Sequence, residues 1–181
     1  MWAEEIARIL DADVDDDGER PVVEVAEDRW RESLRTAKTE LSCVFFDWLS
    51  AVDESPDGFR VVAHVWSLER QQGLLIRCLL SSTIIDSVVD VYAGASWHER
   101  ETHEMFGIDF RGHPDMKPLL LAPEFEGYPL RKDFVLAARV AKPWPGAKEP
   151  GGGGPRKRAP MRPPGVPAPG EWGPKSDEDG D

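Results

Sequence analysis

Cysteine is nearly missing from this chain: there are two, Cys43 and Cys78, in 181 residues. They lie far apart in strand-like runs and form no C-x-x-C, so the chain cannot hold a four-thiolate iron–sulfur cluster with its own cysteines. Two reduced, buried thiols are expected. Positive charge is short as well. Lys and Arg total 22 against 34 Asp and Glu, a net charge of −12, which argues against nucleic acid as a partner. No apolar run approaches the length of a membrane span. The opening MWAEEIARIL lacks the basic region and apolar core of a signal peptide, so a cytoplasmic location is expected, with any membrane association made through partners. A strand–GxGxxG–helix fingerprint and a Walker loop are also lacking. The Gly151–Gly154 run is followed by Pro and Arg in a tail of disordered composition and is no phosphate cradle.

What is present is concentrated in Trp97–Gly107, WHERETHEMFG, which holds two histidines and three glutamates. A zincin helix needs histidines at i and i+4. His98 and His103 are five apart, which on a helix turns the rings roughly 140° away from each other. Glu99 and His103 have the right interval but would need a third ligand, from His64 or His113. A surface Glu–His pair is the simpler reading. Asp13, Asp15, Asp17, Gly18 and Glu24 spell a formal calcium loop. However, Arg20 occupies the usual apolar position, and the following residues 21–25 read as a strand where an exiting helix is required. A solvated acidic linker is the expectation.

The hydrophobic periodicity predicts an α+β fold: an antiparallel three- to four-stranded sheet with packed helices, followed by an extended ribbon and a Pro/Gly-rich tail. Residues 1–10 and Asp28–Leu41 read as amphipathic helices, the second with Asp28 as its cap. Cys43–Val52, Phe59–Ser67 and Leu74–Leu80 read as strands joined by the turn sequences DESPDG and LERQQG, which favours a meander. Strict alternation puts Phe45, Asp47, Leu49 and Ala51 on one face and Val44, Phe46, Trp48 and Val52 on the other, as in a central or covered strand. Ile84–Tyr92 reads as a short helix or turn. Trp97–Phe106 reads as a helix ended by Gly107. From there to Asp133 the chain is rich in turn signals. Three regions result: residues 1–19, an N-terminal helix and acidic linker; 20–140, an α+β domain; and 141–181, a tail, disordered or partner-bound, with Trp144 and Trp172 as candidate anchors.

On a helical wheel Trp97, Glu101 and Met105 fall within about 80°, flanked by Arg100 and Glu104. Desolvating such charges alone is costly. Mutual pairing is therefore expected, Arg100 with Glu104 and the acids with Arg131 and Lys132; a solvated charged face is the alternative, and Trp97 at the centre favours partial burial.

These residues carry a family resemblance. Glu99-Arg-Glu101, Glu104-Met-Phe-Gly-Ile108, Phe110-x-Gly-His-Pro-Asp115, Lys117-x-Leu-Leu120 and Gly127-x-Pro-Leu-Arg-Lys-Asp133 resemble, in order and spacing, the signature of the C subunit (the 30-kDa subunit) of respiratory complex I. Residues 42–96 resemble the family more loosely, through the strand pattern, Asp47, Asp53 and Ala95-x-Trp97. The resemblance spans about residues 20–135. Glu104 stands where aspartate is usual, and Phe125 and Tyr128 replace the common Trp and His. The resemblance implies a non-catalytic structural subunit of a proton-translocating NADH:quinone oxidoreductase, with FMN, iron–sulfur clusters and quinone held elsewhere in the complex and no catalytic, cofactor or metal site in this chain. It implies packing against the D subunit and the cluster-bearing B subunit, peripherally on the cytoplasmic side of the plasma membrane. It also implies interface or structural roles for Trp97, Glu99, Arg100, Glu101, Glu104, His113, Pro114, Arg131, Lys132 and Asp133, where His113-Pro114 sets a turn. Proton transfer by His113 is the alternative for that residue. The equivalent subunit of a membrane-bound hydrogenase, or of a complex-I-like enzyme with another electron donor, is the alternative for the chain. A metal-dependent hydrolase on His98, Glu99 and His103 and a calcium-sensing module are readings from other classes.

Overall fold

The computed structural model describes residues 2–135; the expected tail, with Trp144 and Trp172, lies outside the described residues. The element order is α1 (Trp2–Leu10), β1 (Val14–Asp15), β2 (Val22–Glu24), a 3-10 turn (Glu27–Arg29), α2 (Trp30–Thr39), β3 (Phe45–Asp53), β4 (Phe59–Ser67), β5 (Gln72–Leu80), β6 (Ile84–Asp86), α3 (Ala95–Phe106) and β7 (Asp109–Arg111).

Five strands form one sheet in the order β1-β2-β5-β4-β3. The β3–β4–β5 part is the expected antiparallel meander. β2 adds to it in parallel, with Val22 opposite Leu75. Alternation decides the buried face: Val61, Ala63 and Val65 of β4 and Leu74, Ile76 and Cys78 of β5 are sealed, as the two-residue strand period requires. The helices close this face. Trp30, Leu34 and Ala37 of α2 are fully buried, as are Ile6 and Leu10 of α1, so the N-terminal helix belongs to the same core. Each such Leu or Ile contributes about 1.5–3 kcal/mol by leaving water.

Three expectations change. First, β3 lies at the sheet edge, not at its centre. Its register with β4 shifts between Phe46 and Trp48. This bulge inserts Asp47 and resets the alternation. Phe46 therefore joins Leu49 and Ala51 on the inner side, and Trp48 turns outward with Phe45 and Val52, which are about half exposed. The apolar outer set here lies on a half-exposed face of the sheet, not a covered one. Second, part of Ile84–Tyr92 is a strand: Ile84–Asp86 pairs in parallel with Asp109–Arg111, and α3 makes the crossover between them. Three residues are too few to show a period, and the pairing is created by chain 25 residues away. Third, Asp28 makes no side-chain cap; it lies in the 3-10 turn that leads into α2.

Candidate interface site

α3 ends where Gly107 takes the left-handed conformation, φ 71°, and its N–H returns to the His103 carbonyl at 2.8 Å. A Cβ here would come within 2.5 Å of Arg131 Nη2 and 2.6 Å of the Tyr128 ring, so glycine is needed for its φ and for space. The next orphan carbonyls are claimed by the returning segment 112–135, which is all turns and irregular chain and is called the ribbon below. Leu130 N–H donates to Met105 O at 3.1 Å, and Arg131 Nε donates to Phe106 O at 2.5 Å. A guanidinium at this end also meets the negative pole of the helix. Arg131 is held by aromatic faces, 5.1 Å from the Phe59 centroid and 4.4 Å from that of Tyr128.

One turn earlier, α3 grips the ribbon a second time. Glu104 accepts N–H bonds from Leu119 (2.6 Å) and Leu120 (2.7 Å). Arg100 donates to the carbonyls of Lys117 and Pro118, both at 2.8 Å. The expected Arg100–Glu104 ion pair is therefore replaced by four bonds to the ribbon backbone. The expected pairing of the acids with Arg131 and Lys132 is absent too: Arg131 caps the helix, and Lys132 offers its backbone N–H to Asp53 at 2.8 Å. Asp53 also accepts from the hydroxyl and N–H of Ser55, and these bonds, the hydroxyl's first, hold its carboxyl down at about 2. Asp53 was legible only as part of the family resemblance, because its ribbon partner is 79 residues away.

Glu99 points the other way, into the protein. It is fully buried and accepts from Ser87 Oγ (2.6 Å) and Val88 N–H (2.7 Å). Burial pushes its carboxyl up to about 7, against the lowering effect of those two bonds. His98 lies edge-on to Phe46, and His103 Nδ1 donates to the Ile108 carbonyl at 3.0 Å beside Asp109. His98, Glu99 and His103 thus have three separate structural tasks. The calcium-loop residue Glu24 is tied to Arg60 and Arg77. Among the described residues no group of three or more His, Cys, Asp and Glu side chains is arranged to hold a metal ion.

His113 uses both ring nitrogens. Asp115 N–H donates to Nδ1 at 3.0 Å, which leaves the ring proton on Nε2, 3.1 Å from the Ser96 carbonyl. The ring clips the turn at Pro114 to the start of α3. Trp97 is 68% exposed, not partly buried. Glu101, Lys132 and Asp133 are exposed as well. Leu120, Leu130 and Val135 also stand in solvent, more than half exposed. α3 and the ribbon are therefore tied together, and Trp97, Leu120, Leu130 and Val135 are left uncovered among the described residues.

The model of the respiratory-chain NADH dehydrogenase 30 Kd subunit family matches residues 23–140. This chain belongs to that family. The NADH-quinone oxidoreductase C subunit of Parvibaculum lavamentivorans is 42% identical over 112 residues, 59% of this chain and 56% of that protein. Its counterpart in Sinorhizobium medicae is 39% identical over the same shares. A fused C/D subunit of Chromohalobacter salexigens is 40% identical over 94 residues, 51% of this chain and 16% of that protein. The chain thus spans about half the length of the unfused relatives it matches. Among solved structures, a trypsin-resistant fragment of Nqo5 superposes with a TM-score of 0.56 at 26% identity, covering 64% of this chain and 99% of the fragment. A chain of the membrane-bound sulfane sulfur reductase, an archaeal respiratory membrane complex, gives 0.63 at 29% identity, covering 78% of this chain and 89% of that one.

Proposed function

We propose that this chain is a structural subunit of a proton-translocating NADH:quinone oxidoreductase, without a catalytic centre of its own, and that α3 and the ribbon are its docking surface for the neighbouring D subunit. The observation that carries this reading is the double attachment of the ribbon. Arg100, Glu104 and Asp53 hold its backbone and its own Arg131 caps α3, so their charges are spent inside the chain. Trp97, Leu120, Leu130 and Val135 are left presented to a partner. Rigid presentation suits a scaffold, since displacement of a reacting group by about 1 Å costs rate steeply. The existence of fused C/D relatives supports the D subunit as that partner. The B subunit is the further contact proposed, and FMN, the iron–sulfur clusters and quinone would be held by other chains of the complex. No described helix is long and apolar enough to cross a membrane; the proposal places the chain peripherally, at the cytoplasmic face of the plasma membrane.

Affinity purification of the tagged full chain from native membranes is the test. Recovery of the B and D subunits together with a flavin-bearing NADH-oxidising chain is expected. Recovery of the chain without its D-subunit neighbour would overturn the reading. Recovery with a sulfur- or hydrogen-handling catalytic chain in place of the NADH-oxidising one would favour the second reading, a relative with another electron donor, which the likeness to the sulfane sulfur reductase chain supports.

A further inference from the structure

Glu104 is nine-tenths buried, and its carboxylate forms no ion pair with any described residue. Arg100, one turn away on α3, bonds the carbonyls of Lys117 and Pro118, and Lys117 pairs with Asp115. Beside Glu104 opens a cleft of about 190 Å³ whose walls include His103, Met116, Pro118, Phe125 and Tyr128. His103 Nδ1 faces the Ile108 carbonyl at 3.0 Å and Asp109 Oδ1 at 3.1 Å, and its Nε2 has no hydrogen-bond partner among the described residues. The cleft therefore combines aromatic and proline walls with a carboxylate that has no counter-charge among the described residues.

We propose that this cleft is a socket for an arginine side chain presented by the D subunit. The inference rests on the reading of the ribbon as the docking surface. A guanidinium meets every feature of the cleft. Its flat, weakly hydrated faces stack on aromatic rings, its fork of five donors reaches several acceptors, and its charge neutralises the carboxylate. A lysine carries the charge but is strongly hydrated and has no flat face. An uncharged aromatic side chain fills the space and leaves Glu104 without a counter-charge. An anion such as phosphate meets the Glu104 carboxylate and is repelled. Glu104 has room for this role, because a carboxylate has about four lone-pair sites and the two ribbon N–H groups use one on each oxygen.

The experiment measures the dissociation constant of the full chain for its own D-subunit partner, with folding of each variant checked by thermal melting. Leu120→Asp tests the docking surface; Ala122→Phe closes the cleft from an exposed lining position; Ala122→Ser leaves it open. Surface arginines of the partner are replaced by lysine one at a time. Leu120→Asp and Ala122→Phe are each expected to weaken binding on the order of tenfold or more, with Ala122→Ser unchanged. One Arg→Lys variant is expected to reproduce the loss and to lose nothing further against Ala122→Phe, as coupled partners do in a double-mutant cycle. If Leu120→Asp weakens docking and Ala122→Phe does not, the socket is wrong and the docking surface stands. If Ala122→Phe weakens docking but no arginine couples to it, the arginine assignment is overturned. If Leu120→Asp binds as tightly as the natural chain, the docking surface fails and the socket with it.

Discussion

Arg100 and Glu104 stand one helical turn apart on α3, and both bond the same stretch of ribbon instead of each other. The cation takes two carbonyls of the 117–120 segment, and the anion takes two of its N–H groups. A surface i,i+4 pair is worth a few tenths of a kcal/mol. Charged hydrogen bonds to backbone groups that would otherwise be left unpaired are worth more, so the ribbon wins both side chains.

Glu104→Ala should therefore free the ribbon. It strips the Leu119 and Leu120 N–H groups of their acceptor, at a cost of about 1–3 kcal/mol. Hydrogen exchange at these two amides should accelerate strongly while β4 and β5 keep their protection. Unchanged exchange at Leu119 and Leu120 would count against the clamp.

Glu99 sets a pH dependence. Its folded value of about 7 lies above the ordinary 4.5, so the native state holds this proton more tightly than the unfolded chain does. The contribution is fully present below about pH 4.5 and is lost as pH rises through about 7, by roughly 3 kcal/mol in all. Glu99→Gln removes that slope. Urea melts at pH 5.5 and pH 8 should show the natural chain losing stability relative to the variant at the higher pH. Parallel behaviour of the two proteins would rule this out.

Asp53 has the opposite sign. Its carboxyl is held near 2, below the ordinary 3.8, so its contribution is present above about pH 3.8 and vanishes as pH falls through about 2. Asp53→Ala should raise exchange at the Lys132 amide at neutral pH. Protection equal to that of the natural chain would show that the ribbon end is anchored elsewhere.

Gly107→Ala should destabilise by roughly 1–2 kcal/mol from its left-handed backbone alone, with an added displacement of Arg131 and Tyr128. Arg131→Glu should go further, because it sets an anion against the Phe106 carbonyl at the negative end of α3. Thermal melting orders the two. It is also expected that Arg131→Glu impairs assembly or quinone-linked turnover.

The thiols of Cys43 and Cys78 are pushed by burial up to about 11 and about 12. Neither should react with a thiol reagent in the native protein, and both should react on denaturation. Fast labelling of one thiol before unfolding would place it at the surface.

Much of the framework was readable in advance. Val61, Ala63 and Val65 opposite Leu74, Ile76 and Cys78 announce two long strands by alternation alone, and Gly107 announces the end of α3. The site was readable only as a set of letters. Glu99, Glu101 and Glu104 look alike in WHERETHEMFG, yet one is sealed in the core, one stands in solvent and one clamps the ribbon. The wheel grouped Trp97, Glu101 and Met105 on the apolar side. In the fold Ala95, Glu99, Thr102 and Phe106 turn inward instead, with Trp97 exposed. Helical spacing says which residues share a face, but it does not say which face meets the core.

The sequence by itself determined the long periodic elements and the helix stop, because these follow from interactions a few residues long: alternation of side chains, helical spacing and the freedom of one glycine. The tertiary structure alone decided that β3 is an edge, that β6 pairs with β7, and that Arg100, Glu104 and Asp53 serve the ribbon. Each of those outcomes depends on distant backbone N–H and C=O groups. Every residue but proline carries both, so they leave no mark in the order of side chains.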